Sequence, residues 1–462
     1  MAIQKTISPI DDSVYVERGL ARRAEIEQAL AAARKASQAW RGVPLAERAR
    51  LLNRAVDHFV ARGPAIAEEI TRQMGRPIGQ SPGEVRGFAE RARHMIAIAP
   101  EALGDLDVGE KQGFTRFIRR EPLGVVFVVA PWNYPYLTAV NAVIPALMAG
   151  NAVLLKHSAQ TPLCAERFFA SLRAGGVPKG LFQFLHLSHD DTTRIIKDPR
   201  IDFVAFTGSV DGGRAVQRAA ADRFIGTGLE LGGCDPAYVR PDANLPHAIE
   251  NLVDGAFFNS GQSCCGIQRI YVHKDVYKPF LEGAVELTRK YRLGHPLDAD
   301  TNLGPVVRAS AAAEIRKQVA RSVRAGARPL VDGRAFRAQS QGRAYVAPQL
   351  LEVRDNRNPV MQDECFGPVA GIMKVRSDDE AVRLMNDNAF GLTAAIWTMD
   401  EDAAIAIGDR VATGTWFMNR CDYLDPALAW AGVKNSGRGC SLSRVGYEQL
   451  TRPKSFHLRT AL

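Results

Sequence analysis

No stretch of this 462-residue chain is apolar for the 18 or so consecutive residues that crossing a bilayer requires, so no transmembrane helix is expected. The amino-terminal "MAIQKTISPIDDS" lacks the apolar core of a secretory signal, which points to a cytoplasmic protein. The seven cysteines, at 164, 234, 264, 265, 365, 421 and 440, are odd in number and irregularly spaced. No C-x-x-C pair occurs, so neither a disulfide framework nor a zinc site is expected, and the compartment reads as reducing. There is no internal repeat and no low-complexity linker. The net charge of +9 and pI near 9.2 are not gathered into a basic block interleaved with aromatics. Segments such as "RRAEIEQALAAARK" mix both signs along helical faces, the pattern of a solvated surface and not of a nucleic-acid-binding one.

What is present is an ordinary globular composition, 46% hydrophobic and 24% charged, in a chain long enough for two or three domains. The first hundred residues read as helices, with apolar residues recurring at three- and four-residue spacing in "AEIEQALAAARKASQAW", "LAERARLLNRAVDHFVARG" and "AIAEEITRQMG". Short apolar runs then alternate with helix-length stretches: "GVVFVVA" (124–130), "AVLLK" (152–156), "LFQFLH" (181–186) and "DFVAF" (202–206), with helices at 137–149, 161–174 and 209–220. A second series contains "RIYVH" (269–273), "VAGIMKV" (369–375), "AAIWT" (394–398) and "TGTWFMN" (413–419). Apolar strands separated by helices predict parallel sheets covered on both faces, hence two α/β units joined near Glu230–Gly233. "FTRFIRREPLG" (114–124) and "TRPKSFHLR" (451–459) alternate as exposed antiparallel strands do, and are expected to pair with another subunit.

The adjacent cysteines of "NSGQSCCG" (259–266) raise the question of a nucleophile. A thiolate attacking a carbonyl needs oxyanion donors, a base for water and, for an oxidation, a hydride acceptor. "APWNYP" (130–135) places the amide of Asn133 after a parallel strand, where ligands sit in doubly wound sheets. "LLKHS" (154–158) ends a strand on Lys156, able to reach a ribose or phosphate. "FTGSVDGG" (206–213) opens a helix whose amides at Gly208 and Ser209 would suit a pyrophosphate, although it is neither G-x-G-x-x-G nor a Walker loop. "LELGG" (229–233) sets Glu230 among apolar residues and glycines, where a carboxylate's pKa rises toward that of a general base. Taken singly, each has a plain structural explanation: a turn asparagine, a surface lysine, a satisfied buried glutamate, a packed cysteine.

Together and in this order, with "DECFGPV" (363–369) and "KNSGRG" (434–439), these segments resemble the aldehyde dehydrogenase superfamily over nearly the whole chain. The resemblance implies a Rossmann-like cofactor domain, an α/β catalytic domain and a small antiparallel oligomerisation element. The boundaries expected are 1–112 with 125–230, 231–440, and 113–124 with 441–462. It implies that Cys264 is the nucleophile, that Asn133 donates to the oxyanion and that Glu230 activates the deacylating water. Trp132, Lys156, Ser158, Gly208, Ser209, Glu364 and Phe366 fall at cofactor positions. Tyr134, Thr138, Ser263, Cys265, Leu424 and Trp430 fall at the substrate pocket. No metal is implied.

Several residues depart from common relatives. His157 stands where many have proline. Ala159 stands where NAD-preferring members often carry a glutamate, so both NAD and NADP are expected as cofactors. "ALAWAG" (427–432) replaces a proline-phenylalanine-glycine turn. The resulting tunnel walls favour an apolar aldehyde of medium size, with Arg420 the one candidate for clamping a carboxylate. The amino terminus is short, and the first strands of many members are expected to be truncated in it. A CoA-acylating semialdehyde dehydrogenase is the alternative, disfavoured by Glu230; a non-catalytic homologue is disfavoured by the presence of all three catalytic residues. A cysteine hydrolase would need a histidine base, and His247 and His273 have no supporting motif. A homodimer or homotetramer is expected.

Overall fold

The computed structural model describes residues 2–340 and 343–461, so the outermost positions of the expected segments, residues 1 and 462, lie outside the described residues. Four helices, Arg23–Trp40, Leu45–Ala61, Gly63–Met74 and Pro82–Ala102, precede the first parallel strand, as the helical spacing predicts. Each presents one apolar face, and the helix Pro82–Ala102 buries Val85, Phe88, Ala92, Met95 and Ala99 on the spacing of successive turns.

The first sheet runs in the order Gly437–Arg438, Gly226–Glu230, Phe203–Thr207, Val125–Val129, Ala152–Lys156, Phe182–Phe184. All neighbours are parallel except the edge pair at Gly437–Arg438. Val125–Val129 is buried at every residue, the pattern of a strand covered on both faces. From this strand the chain winds outward through 152–156 and 182–184, then returns to its other side at 203–207. That reversal opens a crevice at the carboxyl ends of Val125–Val129 and Phe203–Thr207, the place where doubly wound sheets take ligands.

The second sheet runs Arg328–Pro329, Gln349–Val353, Val369–Val375, Ile267–His273, Asp235–Val239, Thr393–Trp397, Thr415–Met418, parallel but for its first pair. The residues between Glu230 and Asp235 carry the chain from the carboxyl end of one sheet to the amino end of the other.

Four expectations are corrected. The amino terminus, whose first strands were expected to be truncated, is a hairpin of Ile3–Ile7 paired with Val14–Gly19. The strands Phe114–Pro122 and Thr451–Arg459 do not lack a partner within the chain. They pair with each other along nine residues, from Phe114↔Arg459 to Pro122↔Thr451, with Phe117 stacked on Phe456. Residues 441–450 belong with the cofactor domain, because Leu442, Tyr447 and Leu450 are buried in its core and the Tyr447 hydroxyl donates to the Met95 carbonyl at 2.6 Å. Finally, Gly437–Arg438, expected in the catalytic domain, extends the first sheet. Among the described residues no helix is long and apolar enough to cross a membrane.

Candidate active site

The loop that leads into Cys264 is held in a costly backbone conformation. Asn259, Ser260 and Gly261 have successive positive φ values of 52°, 57° and 71°. Only the third is glycine, and a Cβ there would strike the Gly367 carbonyl. The surroundings hold the other two. Asn259 Nδ2 donates to the carbonyls of Asn133 and Gln262, while its Oδ1 accepts from Arg76. Ser260 Oγ donates to Gly304, and Gln262 Oε1 accepts from the Val307 amide.

The turn brings Cys264 to the wall of a 410 Å³ cavity, half-buried but accessible from it. Asn133, 5% exposed, lies against the same loop, its Nδ2 donating to the Gln262 carbonyl at 3.2 Å. Glu230 lines the cavity as well, at the end of its strand. Burial raises its pKa above the ordinary carboxylate range, opposed by hydrogen bonds from Ser441 Oγ at 2.5 Å and Thr207 Oγ1 at 3.0 Å. Close approach of the two sheets depends on glycine, since a Cβ on Gly233 would meet the Cys264 carbonyl.

Toward the cofactor crevice, Lys156 ends its strand with no side-chain partner among the described residues, and burial lowers its pKa. Glu364 accepts from the Gly233 amide at 3.0 Å, and burial pushes its carboxyl up to about 7. Trp132 meets Phe366 edge to face at 5.6 Å. Ser158 Oγ accepts from the Gln160 amide. A free ammonium and a weakly satisfied buried carboxyl beside an aromatic pair fit the ribose hydroxyls, phosphates and nicotinamide of a dinucleotide. One expected contact fails: the Gly208 amide is engaged by the Glu230 carbonyl at 3.0 Å, so it is not free for a pyrophosphate. Ser209 instead caps the helix Val210–Ala220, its Oγ accepting from Gly212.

Tyr134, Thr138, Cys265, Leu424 and Trp430 all line the cavity with Cys264. Ser263 is not at its surface; its hydroxyl donates to Asp422 Oδ1 at 2.8 Å, an oxygen that the Cys265 thiol approaches at 3.0 Å. The neighbouring Cys264 thiol, then burial and Asp422, hold the Cys265 thiol well above its usual pKa, which disfavours its thiolate. All seven cysteines are free.

The expected apolar tunnel is corrected. Leu424, Trp430, Leu137 and Phe258 are apolar walls, but Arg91, Asp254 and Asp422 also face the cavity. Arg420 does not line it and stacks on Tyr423 at 3.9 Å. Arg91 was overlooked because a charge in an amphipathic helix ordinarily marks the solvated face. Its signal was its position: it follows Glu84 by seven residues, on the buried side of Pro82–Ala102.

Comparison with known proteins completes the site's context. The aldehyde dehydrogenase family model matches residues 2–456. A succinate-semialdehyde dehydrogenase [NADP(+)] of Mycobacterium tuberculosis is 33% identical over 452 residues, covering 97% of this chain and 98% of that protein. The structure of an NAD-dependent aldehyde dehydrogenase from Sinorhizobium meliloti matches with a TM-score of 0.95 at 30% identity, over 100% of this chain and 92% of that one. That of a succinic semialdehyde dehydrogenase from Streptococcus pyogenes, in complex with NADP+, matches at 0.94 and 28% identity, over 99% and 100%.

Proposed function

We propose, from the premise that this chain belongs to the aldehyde dehydrogenase family and oxidises an aldehyde with NAD(P)+, that Cys264, Asn133 and Glu230 carry out the reaction. The observation that carries the assignment is that Cys264 and Glu230 open onto one cavity while the Asn133 amide is fixed against the cysteine loop. The Cys264 thiolate adds to the aldehyde carbon, forming a thiohemiacetal. The Asn133 Nδ2 and the Cys264 backbone amide donate to the resulting alkoxide, where each fixed donor contributes about 3 kcal/mol. A dinucleotide, when bound, would supply the hydride acceptor. The acyl group is then a thioester on Cys264, and Glu230 removes a proton from the water that hydrolyses it. Lys156 and Glu364 are proposed to hold the two riboses, and Trp132 and Phe366 to wall the nicotinamide end. Ala159 places no carboxylate against a 2′-phosphate, which supports use of both NAD+ and NADP+.

A homodimer or homotetramer is proposed on new grounds. The outer edge of Thr451–Arg459 takes no strand among the described residues, and most of that strand is exposed. Light scattering showing only monomer at micromolar concentration would exclude it.

The enzymatic assignment is tested with an aldehyde panel followed at the reduced-nicotinamide absorbance. Cys264→Ala is expected to abolish turnover while retaining cofactor binding. Glu230→Gln is expected to accumulate the thioester, a mass increment on Cys264 seen by mass spectrometry. Turnover persisting in Cys264→Ala would overturn the assignment.

A further inference from the structure

His157 joins the loops that follow two adjacent strands of the first sheet. The ladder between Val125–Val129 and Ala152–Lys156 closes with the Ala130 amide donating to the Lys156 carbonyl at 3.0 Å. One segment goes on to Trp132 and Asn133, the other to Ser158 and Ala159. The His157 side chain, 2% exposed, bonds to both. Its Nε2 is 3.0 Å from the Pro135 carbonyl, and its Nδ1 is 3.0 Å from the Ser158 amide and 3.1 Å from Thr161 Oγ1. A carbonyl only accepts and an amide N–H only donates, so the ring proton is on Nε2 and Nδ1 is the acceptor. Burial pushes the imidazole down to about 4, so the ring stays neutral, in this tautomer, near neutral pH.

The two loops are anchored differently. In the first, the Asn133 carbonyl accepts from Arg76 and Asn259, and the Tyr136 and Leu137 amides donate to Glu84, a buried carboxylate. The second is held from outside. Thr6 Oγ1 of the amino-terminal hairpin donates to the Ala159 carbonyl at 2.9 Å, and Gln160 Nε2 donates to the carbonyls of Ile7 and Gln73. These bonds fix residues 159 and 160, not the two residues that flank His157 on the crevice side, Lys156 and Ser158. His157 ties that pair to the firmly anchored turn. A proline in its place would carry no group able to donate to the Pro135 carbonyl.

We propose that His157 is a positioning residue for the dinucleotide: its Nε2–H bond to Pro135 holds the loop of Lys156 and Ser158 against the turn of Trp132 and Asn133, so that the cofactor site is formed before the cofactor arrives. This rests on the reading of Lys156 as a ribose ligand and says what keeps that lysine in place. A loop already in position costs the ligand no ordering, so loss of the bond falls on cofactor affinity. His157 touches neither Cys264 nor Glu230, so turnover at saturating cofactor changes little.

The test measures dissociation constants for NAD+ and NADP+ by calorimetry without aldehyde, beside kcat and the thermal unfolding midpoint. His157→Ala removes both halves of the link and is expected to weaken both cofactors roughly tenfold, with kcat at saturating cofactor within about threefold of wild type. His157→Gln keeps an N–H donor at the reach of Nε2, and His157→Asn keeps an oxygen acceptor at the reach of Nδ1. The glutamine variant is expected to bind within about threefold of wild type, and the asparagine variant to lose as much as alanine. The reverse order would show that the ring serves only the local turn of residues 158–161, and would overturn the proposal. Unmoved affinity in all three variants, with or without a lowered unfolding midpoint, would overturn it too. If the alanine variant does not fold, the glutamine and asparagine pair decides. Lys156→Met separates the two readings. Unchanged binding in Lys156→Met with the His157 effect intact would sink the ribose assignment alone. Weakened binding in Lys156→Met with every His157 variant unaltered would sink the positioning role alone.

Discussion

Arg76 and Glu84 form an ion pair 2.5 Å long, with side chains 1% and 0% exposed. Its four further side-chain hydrogen bonds reach the loops that carry Asn133 and Cys264 and the start of a helix. Arg76 donates to the Asn133 carbonyl and to Asn259 Oδ1, and Glu84 Oε1 accepts from the Tyr136 and Leu137 amides that begin the helix Pro135–Met148. The pair therefore ties the oxyanion loop, the cysteine loop and a helix N-terminus to one buried point. A carboxylate at that helix end is also favoured by the peptide dipoles.

Breaking this pair leaves the other charge buried and unpaired. Glu84→Gln is expected to destabilise the protein by about 3–5 kcal/mol, read from urea or thermal unfolding. Arg76→Leu combined with Glu84→Gln is expected to cost less than the sum of the single changes, because no lone charge remains. Additive losses would show that the pair does not act as a unit.

Asn133 is legible in "PWNYP", and the structure gives its function a geometric test. Its amide already points at the cysteine loop, so Asn133→Ala is expected to reduce kcat roughly a hundredfold or more while NAD(P)+ binding is kept. Asn133→Asp is expected to fare no better, since a carboxylate repels the alkoxide. An alanine variant within a few-fold of wild type would place the oxyanion elsewhere.

The sequence showed the parallel strands where the apolar run is long. "AVLLK" and "VAGIMKV" coincide with observed strands, and "GVVFVVA" is one residue too long at each end. It missed Gly226–Glu230 and Asp235–Val239, whose glycines and proline disguise strands that the sheet nevertheless accommodates. Alternation in 114–124 and 451–459 correctly marked strands but could not name their partner, since pairing across most of the chain leaves no local trace. In the candidate site, the motifs that carry the family resemblance put Cys264, Asn133 and Glu230 each on a loop or strand end. Arg91 escaped them because nothing in a helix's own sequence says which neighbour its inward polar groups will face.

The proposed use of both cofactors rests on one exposed position. The Ala159 carbonyl is tied to Thr6 Oγ1 of the amino-terminal hairpin at 2.9 Å, which fixes the backbone while its side chain stays exposed. Ala159→Glu therefore adds a carboxylate without a packing clash. NADP+ turnover is expected to fall roughly tenfold or more relative to NAD+, through repulsion of the 2′-phosphate. An unchanged ratio of kcat/KM for the two cofactors would mean that the ribose lies away from residue 159.

The proposed role of Glu230 carries a pH dependence for hydrolysis. Glu230 can take a proton from water only when ionised, and burial raises its pKa above the ordinary carboxylate value. The deacylation rate is therefore expected to rise with pH along a limb displaced to higher pH than a free carboxylate's. Ser441 and Thr207 donate hydrogen bonds to the ionised form, so they oppose that displacement. Removing the Ser441 hydroxyl withdraws support from the carboxylate, raises its pKa further and should move the limb to still higher pH. Measuring kcat against pH for wild type and Ser441→Ala, with the hydride-transfer burst recorded separately, isolates this step. Glu230→Gln should remove the limb altogether. A limb that stays fixed or moves to lower pH in Ser441→Ala, or that survives in Glu230→Gln, would mean that another group activates the water.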